Sequence, residues 1–331
     1  MKISKISLAV AALSLAGSAF AADPKLAIVY DAGGKFDKSF NQSASEGAER
    51  FKKETKIVYK EVQVASDTQT EQVLRNLARS NVDLIAAIGF AQAQAVQTVA
   101  KEFPKVKFVL IDGVANGDNI SSVLFKEQEG SYLVGMAAAM ASKSKKVGFV
   151  GGMDIPLIRA FGCGYAQGAK AIDAKVDVTQ NMVGTTPSAW NDPAKGSELA
   201  RAQFERGVDV VFAAAGGSGM GSLQAAKEKA KLAIGVDSNQ NYLHPGVMLT
   251  SMLKRVDNAI YDSFMQVKNG KWQAGISNKG LKEGGVDWAL DKDNRALITP
   301  DMEKRINAAK ADIVSGKVKV VDYRASNSCP V

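Results

Sequence analysis

Short β-rich apolar runs alternate with helix-length stretches along most of this chain, and that alternation restricts the fold more than any other feature. From Lys25 to about Phe125 the apolar runs are Leu26–Tyr30, Ile57–Val64, Leu84–Gly89 and Phe108–Asp112, with helical patterns at Ser43–Lys53, Thr70–Arg79 and Gln92–Glu102 between them. Parallel strands need a long crossover, and a helix is the usual one, so the pattern predicts a parallel sheet with helices on both faces. An extended segment, Ile120–Lys126, and a small-residue core helix, Gly130–Ser142, follow. The alternation then restarts: Val147–Gly152, Val178–Val183, Val208–Ala215 and Leu232–Val236 are strand-like, with helices at about Leu157–Ala174, Ala194–Arg206 and Gly221–Lys231. The chain therefore reads as two similar α/β lobes joined near residues 125 to 130. Strand Val247–Leu253, helix Val256–Lys268, strand Val286–Leu290 and a last helix capped by Thr299 with Pro300 at its first position complete it.

The N-terminus reads as an export signal. Lys2 and Lys5 precede the mostly apolar Ile6–Ala16, and Ala19-Phe20-Ala21 fits a cleavage site. The apolar run is too short to span a membrane. No cysteine stands at the cleavage site, which speaks against a lipid anchor there. A length of 331 residues accommodates two domains. The formal charge of +8 comes from bases scattered among acids, as in Glu49-Arg50-Phe51-Lys52-Lys53-Glu54, so no nucleic-acid surface is expected. Export permits a disulfide between Cys163 and Cys329, but a wide sequence separation leaves bridged and unpaired thiols equally open.

In open α/β sheets, ligands bind outside the carboxyl ends of the strands. Several such ends here carry acids or glycines: Asp31, Gly89-Phe90, Asp112, Gly216-Gly217-Ser218 and Asp237. A single strand-end Asp is commonly a turn residue, but acids spread over both halves predict a polar cleft between the lobes. Trp190 lies among turn residues between a strand and a helix, where it offers a stacking face for a planar ligand.

Catalytic motifs are scarce. The one histidine, His244, precedes a proline in a turn-rich stretch, and neither G-x-S-x-G nor H-E-x-x-H occurs. The glycines from Gly216 to Gly221 have the wrong order for a dinucleotide site and lack the P-loop lysine. No cofactor or resident metal is expected. A two-lobed binding protein is the favoured reading. The alternatives are an exported nucleoside hydrolase using Asp31, Asp37 and Asp112 around a metal, or a binder of a free purine base or another small polar ligand.

The stretch Val29-Tyr30-Asp31 through Gly34-Lys35-Phe36-Asp37-Lys38-Ser39-Phe40-Asn41-Gln42 resembles the opening signature of the basic membrane protein family, substrate-binding proteins of ABC transporters that include PnrA-like purine-nucleoside receptors. The resemblance continues through Ile111-Asp112, Phe125–Gly135, Val147–Gly152, Trp190–Gly196 and Ile234–Gln240. It implies a type I periplasmic-binding-protein fold: two Rossmann-like lobes with parallel sheets, joined by three hinge crossings near 126, 254 and 271. The implied division is a signal peptide at 1–21, a first lobe of 22–126 plus 254–271, and a second of 127–253 plus 272–331. Carried over, Phe36 would stack on the base, Asp31, Asp237 and Lys254 would hold the ribose, and Asn41 and Asp112 would meet the base or its neighbours. Asp37, Gly89, Phe90, Trp190 and Gly216 complete the expected ligand site. The implied partners are a permease and ATPase subunits at the inner membrane. Members of the family more often carry a lipid anchor, and the missing cysteine here departs from that pattern and points to a freely diffusing periplasmic protein.

Overall fold

The computed structural model describes residues 22–331, so the expected signal segment lies outside the described residues. The first lobe begins with β1 (Leu26–Tyr30), α1 (Phe40–Thr55), β2 (Tyr59–Gln63), α2 (Thr70–Arg79), β3 (Leu84–Ile88), α3 (Ala93–Glu102), β4 (Lys107–Ile111) and β5 (Ile120–Phe125). The second contains α4 (Glu127–Ala141), β6 (Lys146–Met153), α5 (Pro156–Ile172), β7 (Asp177–Gly184), α6 (Pro193–Glu205), β8 (Val210–Ala214), α7 (Gly219–Glu228), β9 (Leu232–Asp237) and β10 (Met248–Lys254). After these come α8 (Val256–Lys268), β11 (Gly275–Lys279), β12 (Val286–Trp288) and α9 (Pro300–Val314).

Each lobe is built on one six-stranded sheet, ordered β11-β5-β4-β3-β1-β2 in the first and β12-β10-β9-β8-β6-β7 in the second. Pairing is parallel throughout except where β12 runs against β10. Every residue of β1, β3 and β8 is buried, as expected of strands covered on both faces. Helix periodicity explains the covering layer: in α2 the buried residues are Thr70, Leu74, Leu77 and Ala78, one stripe at helical spacing. Thr299 caps α9 as expected, its hydroxyl accepting from the Met302 amide.

The helix α8 packs on α1, so the chain returns to the first lobe after β10. It also stays there longer than expected. β11 pairs with β5 at the edge of the first sheet, which corrects the boundary at 271. Residues 275–279 belong to the first lobe, and the third crossing falls at 280–285. The strand escaped notice because it has one apolar residue, Ile276, which is itself exposed. Backbone pairing rather than apolar burial holds it in place. The three crossings run side by side: the Lys126 amide donates to the Lys279 carbonyl at 3.0 Å, and the Arg255 amide to the Gly285 carbonyl at 2.8 Å.

Cys163 on α5 and Cys329 form a disulfide, with Cα atoms 5.6 Å apart, and so tie the C-terminal segment to the second lobe. Closing so long a loop restricts the unfolded chain. The double variant Cys163→Ser/Cys329→Ser should lose about 2–4 kcal/mol of stability in denaturant unfolding.

Candidate ligand-binding cleft

The β1–α1 loop is shaped by its own acids. The Asp31 carboxylate accepts from the Gly33 amide (2.8 Å) and Asn41 Nδ2 (2.7 Å), while Asn41 Oδ1 accepts from the Asp31 amide (3.3 Å). Asp37 sits ahead of α1 and gathers its free amides: Oδ1 accepts from Ser39 (2.8 Å) and Gln42 (3.1 Å), Oδ2 from Asn41 (2.9 Å). Burial pushes the Asp37 carboxyl up to about 6 despite those amides. Gly89 ends β3 at a φ of 110°, and a Cβ there would lie 2.9 Å from Asp31 Oδ2, so only glycine admits the acid so close.

Two further acids hold equivalent places in the two lobes. Asp112 follows β4 and Asp237 ends β9, strands that occupy the same position in their sheets. Both adopt left-handed backbone, with φ of 66° and 63°, a region where Asp is among the tolerated residues. Between them lies Lys254, at the end of β10 and 2% exposed. Its Nζ is 2.5 Å from Asp112 Oδ2 and 3.0 Å from Glu127 Oε1. The rings of Phe40, Phe125 and Phe161 stand 5.2–5.5 Å from the same nitrogen. Burial works against the ammonium, but Asp112, Glu127 and Asp237 outweigh it and hold Lys254 charged. Burial likewise pushes Asp112 and Asp237 up to about 6, against the pull of Lys254. Ser39 Oγ donates to Asp237 across the lobes.

The aspartates, Asn41, Lys254, Phe40 and Phe161 line one cleft between the lobes. The structure brings ten of the eleven expected residues to it: Asp31, Asp37, Asn41, Gly89, Phe90, Asp112, Trp190, Gly216, Asp237 and Lys254. Phe36 is the exception. Its ring is 75% exposed, lies under the Lys35 ammonium and lines an adjoining groove at the mouth of the cleft. The local chain explains this: Asp37 anchors the start of α1, which directs Phe40 inward and leaves Phe36 on the outer side of the loop. Trp190 packs over Gly152, where a Cβ would collide with its ring at 2.2 Å.

Sequence reasoning missed Phe40, Leu157, Ile158 and Phe161. Pro156 at the first position of α5 marked a helix start just beyond a strand end, and that signal pointed to a cleft-facing turn. Among the described residues, no group of three or more His, Cys, Asp or Glu is placed to hold a metal ion.

A family model described as ABC transporter substrate-binding protein PnrA-like matches residues 25–322. The chain belongs to this family. It is 36% identical to the ABC transporter nucleoside-binding protein BmpA of Lactococcus lactis subsp. cremoris, over 90% of this chain and 89% of that protein. Basic membrane protein A of Borreliella burgdorferi is 32% identical, over 92% and 89%. A solved solute-binding protein of an Aeropyrum pernix ABC transporter system superposes with a TM-score of 0.82 at 30% identity, covering 90% of this chain and 94% of that one. The chain is thus an ABC transporter substrate-binding protein with two α/β lobes of the periplasmic-binding-protein fold, and its relatives are binding proteins of transport systems. No helix among the described residues is long and apolar enough to cross a membrane.

The three raised aspartates give the unliganded protein a distinctive pH response. Each takes up its proton near pH 6 when folded and near about 4 when unfolded. Between those values the folded state binds more protons, so stability rises as pH falls and is lost as pH climbs through about 6. The melting temperature of the unliganded protein should therefore be higher at about pH 5 than at about pH 7. A steady decline on acidification over that window would contradict the burial of these acids.

Proposed function

We propose that this family member captures a purine nucleoside between its lobes and presents it to a membrane permease driven by ATPase subunits. The observation that carries the reading is the pairing of buried carboxylates with aromatic walls in one cleft. Asp112 Oδ1 has no hydrogen-bond partner among the described residues, and such a buried acceptor calls for a donor. Phe40 and Phe90 from one lobe and Phe161 and Trp190 from the other supply flat apolar faces. A nucleoside matches both halves: its ribose hydroxyls and the N–H groups of its base donate, and the base is planar. Asp31, Asp237 and Lys254 are proposed to hold the ribose side, with Asn41 and Asp112 toward the base. The nucleoside-binding name of the Lactococcus relative supports the same choice.

The hydrolase alternative has weaker support. Asp37, one of its three acids, is occupied by the amides that begin α1, and Asp112 by Lys254. Closure is proposed to turn on the three adjacent crossings, since a ligand touching both lobes favours the state in which it meets them together. The signal-like N-terminus supports a periplasmic location.

Isothermal titration against purine nucleosides, free bases and sugars tests the reading. Nucleosides should bind without turnover; tight sugar binding with no heat from nucleosides would overturn it. Asp237→Asn, which keeps a side chain suited to left-handed backbone, should weaken nucleosides by about 10- to 100-fold and free bases far less. Trp190→Ala should cost about 1–3 kcal/mol for nucleoside and base alike.

A further inference from the structure

We infer that Arg324, on the disulfide-tethered C-terminal segment, is a positioning residue for the cleft that acts through Glu127 on Lys254. The inference rests on the proposed function for the ligand's identity, while its geometry stands independently.

Arg324 does not line the cleft, yet it grips the first crossing from behind. One guanidinium nitrogen donates to the Phe125 carbonyl at 3.0 Å, and another lies 2.9 Å from Glu127 Oε2. Phe125 ends the last first-lobe strand before that crossing, and Glu127 begins the first helix beyond it. Glu127 is fully buried and divides its two oxygens between Arg324 and Lys254. The result is a line of alternating charge, Arg324, Glu127, Lys254, Asp112, running from the back of the molecule into the cleft.

Without Arg324, the Lys254 ammonium would face three carboxylates, Asp112, Glu127 and Asp237, with no second cation paired to them among the described residues. Glu127 would then compete with Asp112 for Lys254 Nζ. A buried carboxylate that loses its cation draws strongly on whatever charge remains. The guanidinium thus leaves Lys254 directed at Asp112 and at the ligand. Burial opposes the charge of Arg324, but Glu127, Asp322 and Asp112 hold it protonated, so its charge also reaches Asp112.

The segment that carries Arg324 is built to hold it still. Asp322 accepts from its Nε (2.9 Å) and Nη2 (2.9 Å), fixing the planar fork. Upstream, the Val321 amide and carbonyl both bond to Gln167 on α5 at 2.9 Å. Downstream, Cys329 is bonded to Cys163 on the same helix. That helix also supplies Phe161 to the cleft wall and to the surroundings of Lys254. The disulfide, the arginine and the ligand site therefore share one support.

Two readouts on the full mature chain test this. In titrations with inosine, Arg324→Gln should bind roughly tenfold more weakly than wild type, with Arg324→Lys partly restoring affinity because it returns the charge without the fork. Its affinity should also begin to fall at higher pH, because Asp112 loses a stabilising cation. Carboxyl NMR on the unliganded protein should show the Asp112 midpoint, which burial already raises, moving further upward in Arg324→Gln. Cys163→Ser/Cys329→Ser should move it in the same direction. An Arg324→Gln protein that melts lower yet keeps both its affinity and its Asp112 midpoint would overturn the inference and leave Arg324 as a packing residue. If wild type itself binds no nucleoside, the proposed function fails, and the Asp112 midpoint alone decides the role of Arg324.

Discussion

A lysine ammonium almost wholly removed from water is the constraint around which this molecule is arranged. Moving such a charge into a protein interior costs several kcal/mol unless partners compensate it. Here the partners come from everywhere the chain crosses: Asp112 from the first lobe, Glu127 from the start of the second, and aromatic rings from both. The same charge that needs these neighbours gives the cleft its one buried cation among several acids. Stability at the crossings and chemistry in the cleft are therefore two aspects of one electrostatic arrangement, and neither can be altered alone.

The acids show how a repeated topology produces a two-sided site. β4 and β9 hold corresponding places in sheets of corresponding order, and each delivers an aspartate in left-handed backbone just where the strand stops. Strain of this kind is tolerated where surrounding contacts fix it, and it gathers at functional positions. Because the lobes face each other across the cleft, one local device used twice places carboxylates on opposite walls. Lys254 answers both. Burial raises both carboxyls to about 6, so ligand donors would meet acceptors that are poorly solvated and correspondingly receptive.

Much of this was legible in the residues. The alternation of strand and helix fixed two parallel-sheet lobes, and the strand-end acids, with Trp190, marked the cleft. What escaped had physical reasons. β11 has no apolar face to register as a strand, since Ile276 is exposed and pairing with β5 alone holds it. Phe36 and Phe40 look alike in sequence, and only the turn set by Asp37 decides which ring points inward. Phe161 sits on a helix whose rotation about its axis is determined by packing. The pairing of Cys163 with Cys329, and the reach of Arg324 to Glu127, depend on where the C-terminal segment lies, which spacing cannot reveal.

The late position of β11 has a consequence for how the protein is assembled. The first sheet cannot close its β5 edge until residue 279 is available, although its other strands end at residue 125. The second sheet likewise waits for β12 on its β10 edge, although β6 to β10 follow one another without a return to the first lobe. During vectorial synthesis, then, the half that is made first must wait for most of the second before its own sheet is complete. Until then it presents an unpaired strand edge, the kind of surface that invites wrong partners. Bringing residues 275–279 back to residues 121–125 also gives the fold contacts of large sequence separation, which slow folding. The polar character of β11, so unhelpful to a reader of the sequence, suits a strand that must wait in water for its place.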